Sequence, residues 1–150
     1  MGPVIACVDG SDVSRSVVDV ARRLAERLDL RLILLHVAPP TEAPGVSAAP
    51  AGQQRLHEEE RRDAEKLLEG IALEAGLGVD VQRRVEIGPA ASRIVVACAE
   101  DRAELVVLGS RGRSGLKAAL LGSVSTNVAA NASCPCVIVS QDAVRRPFLA

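Results

Sequence analysis

Five short apolar runs, 3–8, 32–37, 79–85, 105–108 and 137–139, punctuate this chain, and a segment of helical periodicity lies between each and the next. Runs of that length suit strands rather than helices. Between the first two, Val17, Ala21, Leu24, Ala25 and Leu28 recur at helical spacing. Leu56, Ala64, Leu67, Leu68, Ile71 and Ala75 form the inner stripe of a long helix over 53–75. Pro89, at a first helical position, opens a third helix with Ala91, Ile94, Val95 and Cys98 on its buried side. Residues 124–132 make the fourth. The order β-α-β-α-β-α-β-α-β predicts an α/β fold: a mainly parallel sheet, Rossmann-like, with helices on both faces and right-handed crossovers. The 79–85 run, where Arg83 and Arg84 interrupt the valines, fits a strand near a sheet edge.

A length of 150 residues suits one domain spanning 1–150. Residues 39–52, dense in proline and glycine, are expected to form a flexible loop, and 141–150, without periodicity, a mobile tail. Apolar residues make up 48% of the chain but include one Phe and neither Trp nor Tyr, and the net charge is −1. Such a surface offers no aromatic platform for bases and no electrostatic pull toward nucleic acid or anionic membrane. No stretch reaches the length of a membrane span, and Met1-Gly2-Pro3 carries no basic leader, so a cytoplasmic location is expected. Cys7, Cys98, Cys134 and Cys136 lack the spacing of a metal or redox motif and read as structural thiols.

The stretch from Gly109 to Ser123 carries the chemistry. It leaves the fourth strand and ends at the start of the fourth helix. Gly109 and Gly112 permit close backbone approach and positive φ. Gly122 and Ser123 stand where a helix N-terminus presents unpaired N–H groups and partial positive charge, a place that favours phosphate. The backbone around Gly109–Gly112 and Gly122–Val124 forms a candidate cradle, to which the hydroxyls of Ser123 and Ser125 add donors. Arg111 and Arg113 read equally as partners of a terminal phosphate and as solvated loop residues. The pattern is neither a Walker A loop nor a Gly-x-Gly-x-x-Gly fingerprint. In a parallel sheet ligands sit beyond the carboxyl ends of strands, where the strand order reverses. Asp9, Val37 and Gly109, each at a strand end, should therefore converge on one crevice. Asp9 serves there as a ligand residue or as a cap of the adjoining helix, for which Asp12 and Ser14 are further candidates. His36 reads as a core histidine and His57 as a solvated one. No Ser/His/Asp or Cys/His set assembles, so a strong hydrolase is not expected.

Gly109-x2-Gly112-x9-Gly122-Ser123, followed by Val124-Ser125, resembles the glycine pattern of ATP-binding universal stress proteins. Val8-Asp9-Gly10-Ser11, Leu34-Leu35-His36-Val37, Gly88-Pro89-Ala90 and Ala132-Ser133-Cys134-Pro135 extend the resemblance over nearly the whole chain. It implies a five-stranded parallel sheet of order 3-2-1-4-5. It implies that Asp9 and the backbone of Val37 hold the adenine and that Gly109, Gly112, Gly122, Ser123 and Ser125 hold ribose and phosphates, with Mg²⁺ carried on the phosphates; Val8, Arg111 and Val124 complete the expected nucleotide-binding set. It further implies a homodimer through 137–139, an unidentified protein partner, and an ATP-dependent regulator of stress response, at most a slow ATPase. A partner-binding stress module that no longer binds nucleotide is the alternative. An adenylating enzyme would need a Ser-Gly-Gly-x-Asp-Ser-type loop that Asp9–Asp12 does not supply. A phosphoacceptor receiver would need an Asp ending strand three and a Lys ending strand five, where Glu86 and Ser140 stand instead.

Overall fold

The computed structural model describes residues 1–40, 50–111 and 121–140. The elements are β1 (Val4–Cys7), α1 (Ser14–Leu28), β2 (Leu32–Ala38), α2 (Pro50–Glu74), β3 (Gln82–Ile87), α3 (Ala90–Glu100), β4 (Leu105–Gly109), α4 (Ser123–Asn131) and β5 (Cys136–Val139). All neighbouring strands pair in parallel, in the order β3-β2-β1-β4-β5. The α/β fold and its strand order are as expected. The receiver alternative falls here, because that fold orders its strands 2-1-3-4-5.

Side-chain parity divides the core. Val4, Ala6, Val8, Leu34 and Val107 face α1 and α2, where Val17, Ala21, Leu68 and Ala72 cover them. Ile5, Ile33, Leu35, Val106 and Leu108 face the other way, against Ile94, Ala97, Cys98 and Val128 of α3 and α4. With both faces covered, the central strands carry apolar residues at successive positions instead of alternating.

Three readings of the sequence need correction. The third strand is Gln82–Ile87, not 79–85. Val79 is 90% exposed, and the Val81 N–H turns back onto the Gly78 carbonyl, so the first valines belong to the turn. The strand pairs instead through Gln82–Ile87 against Ile33–Ala38. Gln82 and Arg83 face solvent, but Arg84 and Glu86, 18% and 13% exposed, are held in an ion-pair cluster with Arg93, Glu100 and Asp101. Second, α2 begins at Pro50, within the expected loop. Proline is well placed in a first turn, where its missing N–H would have no helical partner. Residues 41–49 of that loop and the expected tail lie outside the described residues. Third, Leu28 of the α1 stripe is 48% exposed, while Val18 and Val20 are buried; the buried face is rotated toward them.

Helices α1, α2 and α3 all end in the same way. The residue after the last turn adopts a left-handed conformation (Asp29, φ 55°; Gly76, φ 64°; Arg102, φ 50°), and the next N–H reaches back five residues. These bonds run from Leu30 to Ala25, from Leu77 to Ala72 and from Ala103 to Cys98. All three ends lie at the amino edge of the sheet.

Candidate functional site

The strand order reverses between β1 and β4, and a cavity of about 350 Å³ opens there, at the carboxyl edge of the sheet. That volume lies within the range of small-molecule sites, roughly 300–1,000 Å³. Its walls differ in character. Cys7, Leu35, Val37 and Leu108 from the strands and Ala90 and Ile94 from α3 make an apolar side. Asp9, Ser14, Ser110, Arg111 and the start of α4 make a polar one.

The β1–α1 turn is held by a compact set of bonds. One carboxylate oxygen of Asp9 accepts the Ser11 N–H at 2.9 Å and the Ser14 hydroxyl at 3.1 Å. The Ser14 oxygen in turn accepts the N–H groups of Asp9 and Gly10, both at 3.2 Å. The first bond is an Asx turn. Neither Asp9, Asp12 nor Ser14 caps α1: Val13, whose side chain has no polar atom, stands at the N-cap, and the Ser14 hydroxyl is used within the turn. Behind Val8, the buried His36 ring donates from Nδ1 to the Val8 carbonyl at 2.7 Å. A carbonyl only accepts, so the proton sits on Nδ1. The core reading of His36 holds, and its role is to fix the strand end from which Asp9 projects.

Across the cavity, Gly109 closes β4. A β-carbon there would lie 2.6 Å from Val13 Cγ1 and 3.2 Å from the Arg111 carbonyl oxygen. The reason for glycine is this close approach; Gly109 is not among the positive-φ residues. Gly122 is the N-cap of α4, in an extended conformation, and its N–H bonds the Ser110 carbonyl at 2.7 Å. The Ser110 N–H reaches Val139 at 2.8 Å, so β4, β5 and α4 are tied together at the rim. The Thr126 N–H is the first to take a helical partner, the Gly122 carbonyl. The N–H groups of Ser123, Val124 and Ser125 therefore precede the helical ladder and border the cavity, carrying the positive end of the α4 dipole. The Ser125 hydroxyl, by contrast, donates to the carbonyls of Gly122 (2.9 Å) and Ser110 (3.2 Å). It braces the rim instead of presenting its proton to the cavity.

Of the residues singled out in the sequence, Val8, Asp9, Val37, Gly109, Arg111, Gly122, Ser123, Val124 and Ser125 all line this one cavity. Gly112 and Arg113 lie outside the described residues. The sequence reading missed Ser14, Ser110, Cys7, Ala90 and Ile94. Cys7 was within reach, since two residues before Asp9 it shares that residue's strand parity. Ser14 and Ser110 act through tertiary bonds that no local pattern announces.

Burial pushes the Cys7 thiol well above its ordinary range and the neighbouring Cys98 thiol up to about 12. Neither is poised as a nucleophile.

Residues 1–140 match the universal stress protein family. The chain belongs to that family. This universal stress protein is 32% identical over 145 residues to the YxiE universal stress protein of Bacillus subtilis, covering 91% of this chain and 97% of that one. Its fold is similar to that of a universal stress protein solved in complex with cAMP (TM-score 0.61, 29% identity, 92% of this chain and 95% of the other). It also resembles an Arabidopsis thaliana family member solved with AMP bound (TM-score 0.61, 22% identity, 99% and 97% covered).

Proposed function

We propose that this universal stress protein binds ATP in the switch-point cavity and acts as a nucleotide-dependent regulator of stress response, in the cytoplasm, with at most slow hydrolysis. The observation that carries the reading is the two-sided cavity: an apolar wall faces a polar rim whose centre is the open N-terminus of α4. A purine fits the first and a phosphate the second. The nucleotide complexes of the two relatives, with cAMP and with AMP, point the same way. Among the described residues no cluster of His, Cys, Asp or Glu is arranged to hold a metal, so Mg²⁺ would arrive on the phosphates. In this arrangement Asp9 and Val37 take the base and ribose side, and the N–H groups of Ser123–Ser125 take phosphate oxygens. Arg111 supplies positive charge at the rim.

The test uses the absence of Trp and Tyr from the chain. A bound adenine would dominate the near-ultraviolet spectrum of the purified protein, and acid would release it for chromatography. Release of ATP or ADP, or uptake of added Mg·ATP by calorimetry, supports the proposal. A clean protein that takes up none overturns it and leaves the partner-binding alternative.

Asp9→Ala is expected to weaken Mg·ATP binding about tenfold and to cost the fold roughly 1 kcal/mol, since the Ser11 N–H loses its acceptor. Asp9→Asn keeps that acceptor and should recover the stability. Wild-type affinity in the alanine variant, measured by calorimetry, would reduce Asp9 to a brace of the turn.

The homodimer belongs to the same proposal. β5 is an edge strand whose carbonyls at Pro135 and Val139 point to β4. By strand alternation Cys136 and Ile138 direct their backbone groups to the open edge. Ile138→Pro removes an outward N–H without touching the β4 ladder, and it should convert a dimer to a monomer. Light scattering coupled to size exclusion reads the result; a wild-type monomer, or a proline variant that stays dimeric, counts against this edge.

A further inference from the structure

Helix α2 turns Ala64, Leu68 and Ala72 into the core. Its exposed side holds one residue that neither backbone conformation nor packing explains. Gly70 lies inside the helix, where glycine is among the least favourable residues. It is not among the positive-φ residues, and a β-carbon there would meet nothing within 4 Å. Lys66 and Glu74 stand one turn to either side of it, about 6 Å along the axis each way. Both are exposed, and among the described residues neither is in an ion pair. The three border one groove of about 470 Å³, whose far wall carries Asp12 and Arg15, of opposite charge. On the same exposed side Leu73 is 80% exposed.

We propose that this face docks a second copy of the chain, α2 against α2, antiparallel about a two-fold axis at Gly70. The order of the charges selects this occupant. A two-fold contact sets each residue against the one equally far on the other side of the axis, so Lys66 meets the partner's Glu74 and Glu74 the partner's Lys66. A parallel pairing would set like charges together. The aliphatic stem of Lys66 lies over the partner's Leu73 and covers it, while the ammonium reaches the carboxylate. The distance between packed helices follows the side chains at the crossing, and a glycine on the axis brings the backbones close enough for both ion pairs to close. A ligand of one charge sign would answer only one end of the groove. A single helix crossing falls below the size of a stable interface, so the association is weak and shows only in concentrated solution. It is separate from the β5 edge: α2 packs over β2 and β3, at the other end of the strand order. The inference stands whether or not the switch-point cavity takes a nucleotide.

The experiment is sedimentation of the full chain from micromolar to millimolar concentration, at low and at high salt. The average mass is expected to at least double over its dilute value at low salt, and to rise less at high salt, which screens exposed pairs. In Ile138→Pro, which removes β5 pairing, the rise should stop at two chains. Lys66→Glu and Glu74→Lys should each stay at the dilute mass, and an equimolar mixture of the two should restore the rise, because every pair is then again of opposite sign. Gly70→Trp, whose first side-chain atom meets open space, should melt as a folded protein and stay at the dilute mass. A wild-type mass that is constant to the highest concentration would overturn the proposal and leave the face to another partner. A rise indifferent to either charge reversal, a mixture that fails to restore it, or a Gly70→Trp variant that associates like wild type would each overturn it as well.

Discussion

Gly122→Glu is expected to weaken Mg·ATP binding about a hundredfold or more, roughly 3 kcal/mol, without loss of fold stability. Two effects act together. A β-carbon at this position already lies 3.1 Å from the Ser110 carbonyl oxygen and 3.6 Å from the Arg111 Cα, so the longer side chain has to leave through the cavity. Its carboxylate then sits at the open end of α4, on the N–H groups proposed for phosphate, and repels a polyanion there. The same carboxylate suits a helix N-terminus and should stabilise α4 by a few tenths of a kcal/mol or more. Binding and stability are thus predicted to move in opposite directions, which separates a blocked site from a damaged protein. Calorimetry and thermal melting of the same sample read both. Undiminished affinity would move the phosphates away from α4.

Arg84→Ala carries the largest expected cost in stability. The Arg84 guanidinium bonds Glu86 (2.7 Å), Asp101 (2.7 Å) and Glu100, while Arg93 holds the other oxygen of Glu86. Burial alone would raise the Glu86 carboxyl, but the bonds from Arg84 and Arg93 outweigh it and hold it below its ordinary value. Removing Arg84 leaves three carboxylates close together with only Arg93 to answer them. A fully buried pair broken this way costs about 3–5 kcal/mol. With Glu100 58% exposed and water near the cluster, about 2 kcal/mol is the reasonable scale, or a melting-point loss of roughly 4–8 °C. The pH dependence has a definite sign. Because the folded carboxyl titrates below the unfolded one, its contribution is fully present above about pH 4.3 and is lost as pH falls through the depressed folded value. The gap between wild type and Arg84→Ala should therefore narrow on acidification from pH 7 toward pH 3. A gap independent of pH would assign the loss to packing of the arginine stem. The cluster also bears on the cavity, since Arg93 ties to β3 the helix whose Ala90 and Ile94 form the apolar wall.

The strands that pack on both faces were legible because burial writes itself as unbroken apolar runs, as in Leu32–Ala38 and Leu105–Leu108. The third strand was displaced because its inward residues are ionic. Arg84 and Glu86 reach the interior by pairing, and pairing across 7 to 17 residues leaves no local signature. The start of α2 was missed for a related reason: proline density argues for a loop, yet one proline at a first turn is compatible with a helix. At the cavity, Asp9, Val37 and Gly109 could be brought together from topology alone, since parallel strands must deliver their ends to one edge. The bonds that make the rim specific could not. Ser14 closing back on Asp9, and Ser110 joining β5 to α4, depend on where neighbouring elements are placed to within an ångström.

The three helix endings at the amino edge of the sheet divide the molecule into two poles with different obligations. Gly76 adopts its left-handed turn at little cost, whereas Asp29 and Arg102 hold the same conformation with a side chain attached, about 1 kcal/mol each less favourably than glycine would. Neither residue lines the cavity, which lies at the opposite edge. The strain thus sits where no ligand chemistry requires it, and the protein has room to become more robust from below without any change to the surface it presents above.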